Sequence, residues 1–183
     1  HLEPRPGGTK SAHIVGGYTR DFLWGKRRPV KMRLITELYY KRMWDLVSYD
    51  LDNVRVRYAG ENNSRGYATG LDLRLNGEFV EGAESWLNLS ILRTREQLYG
   101  VQHKVREVGQ KEGQNVSDVP RPTDRFATLS MFFQDYLRKN QNVRMHLNFT
   151  LGTGLPFGLP ENNTVYRNTY RFEPYHRLDI GFG

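Results

Sequence analysis

The chain has 183 residues, a net charge of +7 and no cysteine, with 11 Tyr, 9 Phe and 3 Trp. That length allows one domain with a sizeable core, and the lack of cysteine excludes disulfide scaffolds, Cys-based zinc sites and thiol catalysis. The positive charge suits nucleic acid or an anionic membrane surface equally well.

No run approaches the roughly 18 consecutive apolar residues of a transmembrane helix, and the opening HLEPRPGGTK has no apolar stretch that would make a signal peptide. Mean hydropathy is low, but this does not separate a soluble protein from a barrel whose strands turn every second residue away from lipid.

Residues 1–11 read as a loop or linker. A first strand is expected near 12–24; it alternates poorly and is marked by its aromatics and flanking turns. In 30–41, Val30, Met32, Leu34, Leu38 and Tyr40 oppose Lys31, Arg33, Glu37, Tyr39 and Lys41. In 67–76, Tyr67, Thr69, Leu71, Leu73 and Leu75 oppose Ala68, Gly70, Asp72, Arg74 and Asn76. Strands follow at 84–95 (Leu87, Leu89 and Ile91 against Asn88 and Ser90) and 125–137 (Ala127, Leu129, Met131 and Phe133 against Thr128 and Ser130). The cleanest is 143–151, with Val143, Met145, Leu147, Phe149 and Leu151 against Arg144, His146, Asn148 and Thr150. The last, ending at 182, sets Leu178, Ile180 and Phe182 against Arg177 and Asp179. A helix would scatter these residues around its circumference; a strand separates them into two faces.

The links between these seven strands alternate in length. GKRRP (25–29), NGEFVEGA (76–83) and RKNQN (138–142) are short and rich in turn residues, whereas 44–64, 96–124 and 154–165 read as long polar loops. Strands of about 11 residues with alternately short and long links are the pattern of an antiparallel outer-membrane β-barrel, with short turns periplasmic and long loops outside. On that orientation Tyr40 and Tyr67 lie at the outer interface, and Phe22, Trp24 and Phe133 lie near the periplasmic ends. Aromatic rings with a polar tip favour both positions.

No motif points to catalysis. GTGLPFG (152–158) resembles a phosphate-cradling loop but is broken by Pro156 and lacks a following Lys-Ser/Thr, so a turn is expected. The histidines show no metal-ligand spacing, and His146 and His176 fall on opposite strand faces. Asp50 and Asp52 in YDLDN lack the rest of a calcium loop and suggest an Asx-type turn. There is no G-x-S-x-G elbow. The chain is therefore read as a non-enzyme with no cofactor and no metal.

Two residue sets are candidates for function. Lys31, Arg33, Glu37, Asp72, Arg74, Arg144, His146, Asn148, Arg177 and Asp179 would face the lumen. With both signs of charge present, a wall of salt bridges and water is the simpler reading, and a path for a polar solute the sharper one. Arg42, Arg65, Arg93 and Arg95 share the lipid-facing parity at the outer end. They read either as a belt touching lipopolysaccharide phosphates or, more simply, as a solvated rim.

Several segments, in this order and spacing, resemble the C-terminal part of the barrel in TonB-dependent outer-membrane receptors. They are 39–79 (YYKRMWDLVSYDLDNVRVRYAGENNSRGYATGLDLRLNGEF), SWLNLSILRTRE (85–96), PRPTDRF (120–126), FFQDYL (132–137), GTGLPFG (152–158) and YHRLDIGF (175–182). The resemblance implies a section of a barrel of about 22 strands closed by a plug. It implies residence in the cell outer membrane and uptake of a scarce solute driven through TonB, which contacts the plug. Relative to that family the signal peptide, TonB box, plug and most strands are missing, so the chain is expected to be a piece of the receptor. An odd strand count, with two unpaired edges, fits the same expectation. The rivals are a small outer-membrane barrel acting as enzyme or adhesin, betrayed by a further strand within 44–64 that pairs the ends, and a soluble basic domain. Nucleic acid is not an expected partner, because Leu, Met and Phe oppose the charges instead of basic and aromatic residues sharing one face.

Overall fold

The computed structural model describes residues 6–25, 29–52, 55–80, 83–105, 112–137, 140–158 and 164–183. Parts of the three short links (26–28, 81–82 and 138–139) and residues 1–5, including His1, lie outside the described residues. Within them there is no helix, and every strand pairing is antiparallel.

Among the described residues twelve strands follow one another. β1 (Lys10–Trp24), β2 (Val30–Asp52), β3 (Arg55–Val80) and β4 (Ala83–Leu98) come first. The short β5 (His103–Val105), β6 (Gln114–Val116) and β7 (Val119–Pro120) come next, then β8 (Ala127–Leu137) and β9 (Asn140–Gly152). The short β10 (Pro156–Phe157) and β11 (Tyr170–Arg171) precede β12 (Tyr175–Phe182). The seven long strands form one meander in the order β1-β2-β3-β4-β8-β9-β12. β1 and β12 pair only on their inner sides among the described residues, so the sheet is open. Adjacent antiparallel strands joined by tight links at one end are the simplest product of alternation punctuated by Gly, Asn and Pro.

The register keeps the two residue sets apart across the whole sheet. One row on the apolar face runs Leu34, Leu75, Leu87, Met131, Phe149, Leu178 from β2 to β12. One row on the other face runs Ile35, Arg74, Asn88, Ser130, Thr150, Arg177. A one-residue slip at any pairing would mix them. β1 adds Arg20 to the apolar row, opposite Leu34, so that face carries one charge well inside its edge strand. Ile14 (74% exposed), Leu38 (62%) and Leu178 (57%) stand uncovered, and no described strand packs across this face.

Two expectations are corrected. The stretch 44–64 is not a loop: β2 and β3 continue through it as a two-stranded ribbon, giving strands of 23 and 26 residues. Irregular register between Met43 and Tyr49 lets the ribbon bend, with Asp45 at φ 52°, a left-handed conformation that Asp tolerates better than most residues. The ribbon arms pair with each other, so no extra strand there joins the sheet edges. β1 also starts at Lys10, inside the expected linker, because Lys10 pairs with Trp44 and its ammonium lies 3.1 Å from Asp45.

Ala83 and Ser85 are buried at the short-link end of β4, but most of the deeply buried side chains, Ser64, Glu96, His103, Val119 and Arg167, gather at the long-connection end. There β7 takes the place beside β4 that β8 leaves vacant, pairing Val119 with Glu96. The β5–β6 and β10–β11 pairs complete this cap.

Candidate functional site

The ten predicted lumen residues all fall on the polar face, in short local groups. Arg33 grips Asp21 through two hydrogen bonds of 2.6 and 3.0 Å, and Lys31 lines the same open cleft. Glu37 lies directly opposite Asp72, and Asp72 accepts a 2.5 Å hydrogen bond from Ser90. Arg74 donates to Asn76 and Arg177 to Asp179, each at 2.9 Å. Asn148 faces Asp179 across the β9–β12 pairing. Arg144 donates to the Tyr136 hydroxyl at 3.1 Å and sits over its ring. His146 stacks on Phe132, which stacks on Trp86. Trp86 and Phe132 share the parity of Asn88 and Ser130, and the β4–β8 register makes them direct cross-strand partners.

Close approach shapes this face too. Tyr39 lies over Gly70, its partner across β2 and β3, where an added Cβ would overlap the phenol oxygen. The glycine gives the ring a flat place to rest. His146 belongs to this face and His176 to the other, opposite Leu151. Among the described residues no three His, Asp or Glu side chains converge as metal ligands.

The cap contains a buried ionic cluster that sequence reading missed. Arg167 (2% exposed) donates to Glu96 (1%) at 2.8 Å, to the Tyr49 carbonyl at 2.6 Å, and to Asp50. Arg121 lies 3.4 Å from the other oxygen of Glu96. Asp124 accepts from the Thr94 amide at 2.6 Å and from Arg171, which also donates to the Asp124 carbonyl at 2.7 Å. These contacts tie the β2–β3 ribbon, β4 and both long connections together. Asp50 is therefore a strand residue holding Arg167, not part of an Asx-type turn; it pairs with Arg57 in the ribbon. GTGLPFG likewise forms a strand end and β10, packed so closely on β11 that a Cβ at Gly154 would overlap the Phe172 carbonyl.

His103 is fully buried within the same cap. Its Nε2 accepts the Leu98 amide at 3.1 Å, so the ring proton sits on Nδ1, which donates to the Thr164 carbonyl at 3.1 Å. Burial holds this imidazole below its ordinary pKa, and the Arg167 charge pushes the same way; the Thr164 bond and the carboxylates of Glu96 and Asp118 partly oppose the shift.

At the outer end of the apolar face the four predicted arginines surround Tyr67. Arg42 and Arg95 are its partners on either side, Arg65 is two residues away on β3, and Arg93 sits opposite Thr69. Tyr67 stacks on Tyr40, with centroids 6.3 Å apart. Arg95 is committed elsewhere, to the Asp118 carboxylate at 2.9 Å and its carbonyl at 3.1 Å.

Compared with protein-family models, with curated proteins and with solved structures, the chain finds no match in any of the three.

Proposed function

We propose that this chain is a section of barrel wall from a TonB-dependent outer-membrane receptor, and that the whole protein imports a scarce solute with energy delivered through TonB. The observation that carries the reading is an uncovered apolar face running across seven hydrogen-bonded strands, backed by a face of Arg, Asp, Asn and Ser. A soluble domain must cover so broad an apolar surface; a barrel turns it to lipid and keeps the polar face for water. Stacked Tyr40 and Tyr67 at one end and neighbouring Phe22 and Trp24 at the other fit two interfacial belts.

The open edges of β1 and β12 support a section of a larger wall, because unpaired backbone groups in hydrocarbon cost several kcal/mol each. The order and spacing of the segments that resemble this receptor family supply the transport assignment. No catalytic group is needed for it.

Cysteine labelling of whole cells tests the membrane part. Cysteines at Arg74 and Asn148 should react with a water-soluble maleimide, and those at Leu73 and Leu147 should not; the opposite pattern would reverse the faces. The transport part is tested by capture of the full-length protein on the periplasmic domain of TonB. Outer-membrane residence without any TonB binding would keep the barrel and discard the receptor.

A further inference from the structure

We infer that the cap is a gate, a roof over the outer end of the polar face held shut by Arg167. The inference rests on the membrane reading above, in which that face lines the lumen.

Burial along the strands locates the roof. On β4, Thr94, Glu96 and Leu98 share the parity of Asn88 and Ser90 and are buried, whereas Arg93, Arg95 and Gln97 on the other parity are not. The neighbouring strands agree. Ser64 and Gly66 of β3 and Met43 of β2 have the polar parity and are buried. Met43, Gly66 and Glu96 form one cross-strand row, which Val119 of β7 extends. Nearer the short links the same face is open, with Arg74 exposed. The long connections therefore fold over the polar side of the wall, not the apolar side. Arg121 lies over Met43, its guanidinium 3.7 Å from the sulfur.

The roof holds together as one body. Its two connections are joined where Asn168 donates to the Pro120 carbonyl at 2.8 Å, the Lys104 amide to the Val165 carbonyl at 2.9 Å, and Arg171 to the Asp124 carbonyl at 2.7 Å. Much of its fastening to the wall is polar and narrow. β7 pairs with β4 over two residues, Asp124 accepts the Thr94 amide, and Arg167 grips Glu96. Arg167 binds wall and ribbon at once, because its other donors hold Asp50 and the Tyr49 carbonyl. The ribbon has its bulges between Met43 and Tyr49, beside these contacts, so it can bend where the latch lets go. A buried ion pair fixes geometry but contributes less net stability than well-packed apolar groups, because both charges regain water when it opens. That suits a contact made and broken repeatedly.

The test uses the full-length protein in outer membranes, with Met43→Cys as a reporter beneath the roof and a bulky polyethylene-glycol maleimide as the probe. With the latch intact the reporter should label slowly. Arg167→Gln should speed labelling at least about tenfold, since removing one partner of a buried pair is strongly destabilising. Arg167→Lys keeps the charge without the planar fork and should fall between. Asp50→Asn frees the ribbon and leaves the Glu96 pair, so it gives a smaller rise and serves as the test if the Gln variant does not assemble. Throughout, Arg74→Cys should stay reactive and Leu73→Cys protected. A reporter that labels fast from the start would show that nothing roofs the face, and equal rates with and without the latch would show that Arg167 holds nothing shut. Either result overturns the gate and leaves the membrane reading standing. A rise with a small maleimide but not with the bulky one would mean local fraying instead of a moving roof, and would also overturn it. Reversed labelling at Arg74 and Leu73 would bring down the membrane reading and the gate together.

Discussion

The seven-strand sheet and the cap at its long-connection end are built on different physics. In the sheet each residue's role follows from its parity and its cross-strand neighbour, and the same arrangement repeats for rows on end. Removing any one contact leaves the others in place. In the cap a few polar side chains far apart in sequence each hold several partners: Arg167 alone joins β2, β4 and the connection that follows β10. The sheet is redundant and periodic, whereas the cap is singular and depends on a few groups being satisfied together.

The sharpest way to separate the two regions is Arg167→Leu. It leaves Glu96 with only the looser Arg121 contact at 3.4 Å and removes the Arg167 partner of Asp50, and breaking a buried pair from one side costs about 3–5 kcal/mol. Limited proteolysis should then cut within the long connections while the labelling pattern of the sheet is unchanged. If the sheet loses its labelling pattern as well, cap and sheet form one cooperative unit and the contrast fails. Replacing Glu96 and Arg167 together by Leu should cost less than the sum of the single changes, since the two charges answer each other.

That contrast also explains what could be read in advance. Seven strands, their faces and the placement of short links follow from period-2 patterns such as 143–151, where every residue votes for the same answer. The ribbon over 44–64 was missed because bulges between Met43 and Tyr49 break the period locally. The ionic cluster was missed for a different reason. Glu96, Asp124 and Arg167 lie in polar stretches where nothing local distinguishes a buried charge from a solvated one. Of the outer-rim arginines, parity supplied the face, but only the position of Asp118 shows that Arg95 is already paired.

The sheet has its own, slightly smaller test. Leu73→Arg or Leu147→Arg should destabilise a membrane barrel by about 2–4 kcal/mol near the midplane. Arg74→Leu, one residue along and on the polar face, should cost far less. Equilibrium refolding into lipid bilayers measures both. Equal costs on the two parities would mean that neither face meets lipid.

The smallest expected effect concerns His103 and acts on the cap alone. Its neutral ring uses both nitrogens, one accepting the Leu98 amide and one donating to Thr164. A second ring proton would point at the Leu98 N–H, so protonation must break that bond. Because burial lowers the folded-state pKa below the ordinary 6.5, the unfolded or opened cap binds more protons than the closed one between those two values. The closed cap is therefore at full strength above 6.5 and weakens as pH falls from there towards the folded-state value, by at most about 1.4 kcal/mol per pH unit. Arg167, whose charge also disfavours protonation, adds to this effect, while Glu96 and Asp118 reduce it. Hydrogen exchange at the Leu98 and Lys104 amides, corrected for intrinsic rates, should show protection falling through this range. In His103→Gln, which cannot gain a proton, the same profile should be flat. A matching slope in the Gln variant would assign the pH response to the carboxylates around Arg167, and histidine would then be only a hydrogen-bonded strut.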